Sequence, residues 1–535
     1  MALRDKEDSL DIRKDPAPAT AGQSGTPLLS AVVACFVLSG FAALLYQTAW
    51  LRQFSLVFGT SELAVATVLA AYMGGLALGA SIAGRYAGRV QRPILVYGLL
   101  EAGIALSALA VPLLLMGARA IYASALGGLP SPPDAAAVGQ PVFYLLVAFV
   151  VLAIPTSFMG ATLPLLIRYA VRTDREVGPR VALLYATNTG GAVFGTLFAA
   201  FILLPRLGLN GTVWVGVAVN GLVFVIAALL AKRASGFTSR QSAALAASPT
   251  GFVETCVRPL ITGTRSRRER LGVVFNSQPG WILPLILISG AVSFIYEVLW
   301  TRMLAHVMGG SIYAFATMLA AFLTGIALGG GLAGKLAVNR ERATMAFALA
   351  QVSIALFSAS VYTWMVPLIP EELTTYRLAV YAALVMLPAT IFIGATLPLA
   401  VRILAKDETE ATVSTARIYS WNTIGAIVGA ILAGFYLIPS LGFEGTIQFA
   451  VATNLALALW AAAVITKPKP VYVGLTAVLL AAAILAYSPS RPQAVVSSTG
   501  FIPQYLNNPR DIYYGVGRSA TVLMMAEDGY YYLRT

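Results

Sequence analysis

The chain has 535 residues, of which 58% are hydrophobic and only 11% are charged, and its mean hydropathy is +0.79. So few charges cannot cover the surface of a soluble protein of this length, which excludes an ordinary soluble enzyme. The formal net charge is +13. Basic loops beside anionic lipid account for such a charge in a membrane protein, so nucleic-acid binding is not expected.

The first 26 residues are polar, charged and rich in Pro and Ala. They contain no apolar run of the kind that a signal peptide requires, so residues 1–26 are interpreted as a cytoplasmic tail. Apolar runs of about 20 residues then recur, each long enough to cross ~30 Å of hydrocarbon as a helix. A first bundle of six helices is predicted within residues 27–232, with spans at about 28–56, 62–84, 93–116, 141–167, 182–204 and 212–231.

Residues 233–280 form the longest polar stretch inside the chain and include Arg265, Arg267, Arg268 and Arg270. They are interpreted as a basic cytoplasmic linker. A second set of six apolar runs follows within residues 281–466, at about 281–305, 312–334, 344–368, 376–401, 418–438 and 445–465. A shorter run at about 470–487 predicts one more helix within residues 467–488.

The two sets of helices are copies of one another. SGFAALLYQTAWLR (39–52) matches SGAVSFIYEVLWTR (289–302), and GATLPLLIR (160–168) matches GATLPLAVR (394–402). The first match has an offset of 250 residues and the second an offset of 234. Since both copies run in the same direction and start on the same side, they predict two bundles related by an axis along the membrane normal.

Lys and Arg concentrate in alternate loops, which sets the expected orientation. The loops that would share the cytoplasmic side with the N-terminus carry Arg85, Arg89, Arg92, Arg168, Arg172, Arg175, Arg180, Lys335, Arg340, Arg342, Arg402, Lys406, Arg417, Lys467 and Lys469. The opposite loops carry far fewer basic residues. This asymmetry predicts a multi-pass protein with a cytoplasmic N-terminus, and a thirteenth span would place Thr535 outside the cytoplasm.

Two carboxylates stand within apolar spans, Glu101 and Glu297. Their repeat-equivalents are Gln351 and Gln47, so each half carries one acid and one amide with the positions exchanged. A charge in hydrocarbon is costly and normally faces the bundle interior. The exchange predicts that both acids face one central cavity from opposite halves.

Tyrosines and tryptophans follow the same repeat beside these polar positions. In the functional interpretation the acids bind a cationic group or carry a proton, with aromatic side chains as walls. The candidate binding residues are Glu101, Glu297, Gln47, Gln351, Tyr46, Tyr296, Trp50 and Trp300. In the alternative interpretation the acids pair with Arg52 or Arg302 to hold the bundle, and the aromatic residues form a membrane-interface belt.

Other repeated residues favour packing. Small residues four apart predict close helix contacts, at Gly75 and Gly79, Gly191 and Gly195, Gly325 and Gly329, and Gly425 and Gly429. Matched asparagines predict helix–helix hydrogen bonds, at Asn188 and Asn422, and at Asn220 and Asn454. His306 is the only histidine and the chain has two cysteines, so no metal site, cofactor site or catalytic residue is predicted here.

After the last apolar run the chain becomes polar and aromatic. In GRSATVLMMAEDGYYYLRT (517–535) two strand-like runs flank Asp528-Gly529, which predicts a β-hairpin. A lone hairpin is marginally stable in water. Residues 489–535 are therefore interpreted as the start of a soluble β-domain, and the chain as the front of a longer protein.

The duplicated helices with SGF…LLYQTAWLR, GATLPL and YATNTGGAVFG, together with this hairpin, resemble bacterial proteins that fuse a major-facilitator-like membrane module to a spermidine-synthase-like domain. The resemblance covers about residues 28–535. It implies an all-α polytopic fold of two six-helix repeats, one extra helix and a β-hairpin fragment, in the inner membrane of a bacterium. The complete fusion would be an aminopropyltransferase-like transferase with decarboxylated S-adenosylmethionine as co-substrate, and its catalytic residues would lie beyond Thr535.

Three functions follow as hypotheses. The chain is the membrane part of such a fusion and handles or delivers a polyamine-like cation, with the lipid bilayer and that cation as partners. Alternatively, it is a stand-alone secondary transporter coupled to protons through Glu101 or Glu297, or an inert anchor for the soluble domain. An extracytoplasmic Thr535 conflicts with a co-substrate made in the cytoplasm. Three explanations remain open. The run at 470–487 does not cross the membrane, or the soluble domain uses another substrate, or the membrane module supplies the co-substrate to that domain.

Overall fold

The computed structural model describes residues 26–58, 62–126, 139–246, 280–308, 312–365, 375–465, 510–516, 521–527 and 530–534. The predicted N-terminal tail, most of the basic linker and the apolar run at 470–487 lie outside these residues.

The first half contains six helices: α1 (Thr26–Phe58), α2 (Glu62–Tyr86), α3 (Pro93–Leu126), α4 (Gly139–Ala170), α5 (Val177–Phe198) and α6 (Leu204–Ala246). The second half repeats them: α7 (Ile282–Met308), α8 (Ile312–Leu336), α9 (Arg340–Met365), α10 (Thr375–Leu404), α11 (Glu408–Leu432) and α12 (Ile438–Ile465). The predicted two six-helix repeats are confirmed. By length and composition, ten continuous helical stretches of the described chain could cross a membrane.

Ten stretches hold twelve helices because two pairs are joined without a break. Short π-helical segments connect α5 to α6 (Ala199–Leu203) and α11 to α12 (Ala433–Leu437). Just beyond each segment, Gly208 and Gly442 adopt φ of 68° and 69°. This left-handed conformation is open to glycine and strained for other residues. It redirects the chain, so that α5 and α6 both pack against α1, and α11 and α12 both pack against α7.

The halves share one packing plan. In the first half, α1 packs against α5 and α6, α2 against α4, and α3 against α4 and α6. In the second half, α7 packs against α11 and α12, α8 against α10, and α9 against α10 and α12. The halves meet through α2 with α11 and through α5 with α8. These two contacts exchange under the repeat, so the duplication extends to the interface between the halves.

Apolar side chains form two large clusters at opposite ends of the helices. The outer cluster, which includes Trp50, Phe54, Trp300 and Phe443, lies at the ends away from the basic loops. The inner cluster, which includes Ile94, Ile167, Val181 and Leu404, lies at the ends that carry the basic loops.

Several of the paired glycines sit where two helix backbones touch. A Cβ atom on Gly191 would lie 2.0 Å from the carbonyl oxygen of Val37, and one on Gly425 would lie 1.8 Å from that of Leu287. Neither distance is physically possible. The glycines therefore allow α5 to approach α1 and α11 to approach α7, as the spacing of small residues predicts.

Two neighbouring glycines of α5 provide a matched test of this packing. Gly191→Ala should lower stability by about 1–3 kcal/mol because the helices must separate to admit the methyl group. Gly190→Ala should be neutral, because a Cβ there meets nothing within 4 Å. Thermal unfolding in detergent would compare the two variants. Equal unfolding midpoints would show that this close contact does not stabilise the bundle.

The C-terminal residues form a small antiparallel sheet of β1 (Arg510–Val516), β2 (Thr521–Glu527) and β3 (Tyr530–Arg534), in that order. The predicted hairpin is β2 with β3, in which Met525 pairs with Tyr532. Its expected turn, Asp528-Gly529, lies outside the described residues. β1 was not predicted from the sequence. Val516, at the end of β1, packs against the outer cluster, and β1 contacts α12.

Candidate functional site

A cavity of about 190 Å³ lies between the two halves. It is lined by α1, α2, α4 and α5 and by their repeats α7, α8, α10 and α11. Most lining residues come as repeat-matched pairs, among them Tyr185 with Tyr419, Asn188 with Asn422, Thr162 with Thr396, Thr189 with Thr423 and Gln47 with Glu297. The cavity therefore lies on the pseudo-two-fold axis.

Glu297 is the charged side chain of this cavity among the described residues. It sits on α7, and the whole residue is 3% exposed. No hydrogen bond or ion pair to its carboxylate is found in the described part of the chain; only its backbone oxygen accepts one, from the Thr301 hydroxyl at 2.6 Å. A buried carboxylate without a partner is costly. The site therefore favours either a cation or a proton at Glu297.

The rest of the lining suits a cation. Gln47, the repeat-equivalent of Glu297, lines the cavity from α1. Phe294, Phe322 and Tyr72 add aromatic rings, whose faces attract positive charge. The Tyr72 hydroxyl donates to the backbone oxygen of Ala43 at 3.2 Å, which fixes its ring.

Glu101 does not line the cavity, so the expectation that both acids face it is wrong for Glu101. This residue is fully buried between α1, α3 and α6. It accepts hydrogen bonds from Ser39 Oγ at 2.5 Å and from Asn220 Nδ2 at 2.6 Å. The reason is the position of α3, which packs on α4 and α6 rather than at the interface. Ser39 does line the cavity, so Glu101 lies directly behind it.

Gln351 occupies the same place in the second half. Its Nε2 donates to Ser289 Oγ at 2.9 Å, and its Oε1 accepts from Asn454 Nδ2 at 2.6 Å. Tyr296 adds a bond from its hydroxyl to Asn454 Oδ1 at 2.9 Å. The predicted helix–helix hydrogen bonds of Asn220 and Asn454 are thus confirmed.

The aromatic residues predicted as cavity walls lie elsewhere. Tyr46 stacks on Trp50 with ring centroids 5.2 Å apart, and Tyr296 stacks on Trp300 at 5.4 Å. All four are fully buried, so they do not form an interfacial belt either. A Cβ on Gly216 of α6 would meet the Tyr46 ring at 2.6 Å. The stacks therefore fill the contacts of α1 with α6 and of α7 with α12.

The predicted structural alternative, an ion pair between each acid and an arginine, is not found among the described residues. Arg302 is buried and its Nη2 donates to the backbone oxygen of Gly434 at 3.5 Å. Neither Glu101 nor Glu297 pairs with an arginine in the described chain.

An ion pair that was not predicted from the sequence joins the two halves. Arg402 Nη1 and Nη2, at the end of α10, contact Asp174 Oδ1 and Oδ2 at 2.7 and 3.3 Å. Asp174 lies in the turn between α4 and α5. The repeat-equivalent Arg168 instead donates to the backbone oxygens of Gly88 and Val90. The halves are therefore tied asymmetrically at the end that carries the basic loops.

No protein-family model matches the chain. Polyamine aminopropyltransferases 2 and 1 of Ralstonia nicotianae are each 22% identical to it over 175 residues. These matches cover 33% of this chain and 34% and 33% of the relatives, so the chain spans about a third of the length of the curated relatives that it matches.

Two solved structures are similar over most of the chain. The nucleoside transporter NupG is 11% identical, with a TM-score of 0.46, over 82% of this chain and 99% of that one. The MFS (major facilitator superfamily) proton:xylose symporter XylE bound to 6-bromo-6-deoxy-D-glucose is 14% identical, with a TM-score of 0.46, over 83% of this chain and 98% of that one.

Proposed function

We propose that the central cavity binds a small organic cation of the polyamine type, and that the membrane module carries or presents this cation within the bilayer. The observation that carries the proposal is Glu297, a buried carboxylate that faces the cavity without a partner among the described residues. An ammonium group would supply the missing positive charge, since ions in hydrocarbon are normally paired.

The size and chemistry of the cavity fit this ligand class. Its volume of about 190 Å³ is below the range of drug-sized pockets, roughly 300–1,000 Å³, and suits a slender molecule. Aromatic faces favour ammonium and methylene groups alike. The amide oxygens of Gln47, Asn188 and Asn422 can accept from a second amino group.

The partial similarity to two polyamine aminopropyltransferases supports the same ligand class. In a fusion with such an enzyme, decarboxylated S-adenosylmethionine would be the co-substrate. No residue of this chain is assigned to it or to a transfer step, and the chain's part would be to handle the polyamine. A proton-coupled transporter would use the same cavity. An inert anchor would not require a buried carboxylate such as Glu297 in the cavity.

We also propose an orientation, in the inner membrane of a bacterium. The basic loops lie in the cytoplasm, as the excess of Lys and Arg favours. The outer cluster then lies at the extracytoplasmic end, and the contact of Val516 with that cluster supports a sheet on the same, extracytoplasmic side.

The test is equilibrium binding of radiolabelled putrescine and spermidine to the purified chain in nanodiscs. Glu297→Gln should weaken binding roughly 100-fold, because loss of one partner of a buried charge pair costs about 2–5 kcal/mol. Glu176→Gln is the control: it removes a carboxylate in the turn between α4 and α5, outside the cavity lining, and it should keep binding.

Three outcomes separate the candidate functions. Wild-type binding that Glu297→Gln weakens roughly 100-fold supports the proposal. Binding accompanied by uptake that a proton gradient drives, in vesicles, favours the stand-alone transporter. Absence of binding by the folded wild-type chain would refute a cation site and leave the anchor.

A further inference from the structure

The two halves build the same polar cluster with an acid in one and an amide in the other. In the first, Glu101 accepts from Ser39 and Asn220 at 2.5 and 2.6 Å. In the second, Gln351 takes the place of the acid but donates to its serine. A neutral amide has one donating and one accepting end, as a protonated carboxyl group does. The Gln351 cluster therefore displays the hydrogen-bond pattern that Glu101 would have with a proton bound.

We propose that Glu101 is a proton-binding site whose occupancy is coupled to the cavity through Ser39. The coupling rests on the proposed cation site at Glu297, whereas the proton site itself does not.

The described residues around Glu101 offer no positive charge. The titratable groups that face it are the Cys35 thiol and the Tyr46 hydroxyl on α1 and the Tyr97 hydroxyl on α3. From α6 it meets Asn220. Among the described residues, no Lys, Arg or further carboxylate faces it from these helices or from α4 and α5. Only neutral donors, Ser39, Asn220 and the Tyr97 hydroxyl, face its ionised form among the described residues, so a proton is the natural compensating partner.

Ser39 transmits the protonation state because its hydroxyl has one proton. When Glu101 is ionised, Ser39 donates to it and keeps both lone pairs for an N–H group in the cavity. When Glu101 is protonated, its O–H donates to Ser39, and the serine proton must turn away, towards the cavity. A cation in the cavity is then met by a donor instead of an acceptor.

Cation binding should therefore release a proton. The O–H bond of Glu101 breaks, its electron pair stays on the carboxylate and its proton leaves to water. One ammonium group of the diamine pairs with Glu297, and the charge of the other ammonium group replaces the released proton. By linkage, cation affinity rises with pH and proton affinity falls when the cation binds.

The ligand-independent test is a pH titration of the full chain in nanodiscs by infrared difference spectroscopy. Wild type should show a protonated-carboxyl band that disappears as the pH rises and that is absent from Glu101→Gln. The variant should fold, because Gln351 already makes the equivalent contacts. A protonated-carboxyl band that is missing from Glu297→Gln belongs to Glu297, the acid that lines the cavity. If no band is missing from Glu101→Gln at any pH, Glu101 binds no proton and the proposal is overturned.

The second test adds putrescine and follows proton release with a pH dye in weak buffer. Wild type should release about one proton more per bound putrescine than Glu101→Gln, in which any remaining release comes from Glu297. The putrescine affinity of Glu101→Gln should vary less with pH than that of wild type. Ser39→Ala should keep the infrared band of Glu101 but lose this additional proton, which keeps the test open if Glu101→Gln fails to fold. Unchanged release in Ser39→Ala or Glu101→Gln would overturn the coupling. If wild type binds no cation, the cation site fails while the titration still decides the proton site.

Discussion

Moving the cavity carboxylate from position 297 to position 47 should restore the cation binding that Glu297→Gln removes. Gln47 and Glu297 are repeat-equivalents that line one cavity on a pseudo-two-fold axis. A cation has no preference for one half if the field of a single carboxylate in a low-dielectric site holds it. The variant Gln47→Glu with Glu297→Gln should therefore bind putrescine within about tenfold of wild type, a difference of about 1.4 kcal/mol.

The single variant Gln47→Glu sharpens the same test. It places two carboxylates in the cavity, so a diamine should gain affinity and a monoamine should gain less, as isothermal titration of both ligands would show. Gln351→Glu is the matched control, because it adds the same charge in a cluster outside the cavity. If the double variant folds but does not bind, charge in the cavity does not determine recognition, and the assignment of Glu297 fails.

The fold was largely predictable from the sequence because its two signals are redundant. Each of the twelve apolar runs within residues 27–232 and 281–466 is long enough to cross a membrane, and each has a counterpart in the other half. The joined helices were less accessible: nothing in hydropathy distinguishes the glycines at which the long stretches turn. Gly208 and Gly442 differ from the packing glycines by backbone conformation, and only the matched offset of 234 residues hinted at their shared role.

The candidate site was predicted in part, and the helix period explains the errors. Successive residues of a helix point about 100° apart. Gln47 faces the cavity, so its neighbour Tyr46 must face elsewhere, and Trp50, one turn from Tyr46, shares that other face. Sequence proximity to a site residue was therefore a misleading signal. The tyrosines that line the cavity, Tyr185 and Tyr419, lie in the repeated YATNT and YSWNT segments, where the repeat itself could have revealed them.

The position of Glu101 required tertiary information. The exchange of acid and amide shows that the two places are related, but it does not show whether α3 reaches the interface. That depends on which helices each half uses for contact, here α2 with α11 and α5 with α8. Once α3 is placed behind α1, the exchange of acid and amide becomes informative. The Gln351 cluster of the second half then shows the hydrogen bonds that a neutral Glu101 would make in the first half.

A cysteine at Tyr531 should react with a membrane-impermeant maleimide from outside intact cells. Tyr531 lies on β3 and is 69% exposed, and the sheet meets the outer cluster through Val516. The control is Gln91→Cys, an exposed residue between α2 and α3 on the basic side, which should react only after permeabilisation. Both variants should be made in a background in which Cys35 and Cys256 are replaced by Ala.

The four possible labelling patterns have different consequences. If only Gln91→Cys reacts from outside, the whole module is inverted, but the sheet still lies opposite the basic loops. If both cysteines require permeabilisation, or both react from outside, the sheet and the basic loops share one face, and the contact of Val516 with the outer cluster is wrong. The expected pattern has a functional consequence. A co-substrate made in the cytoplasm would be separated from the sheet by the bilayer, so a domain built on this sheet would depend on transport across the membrane.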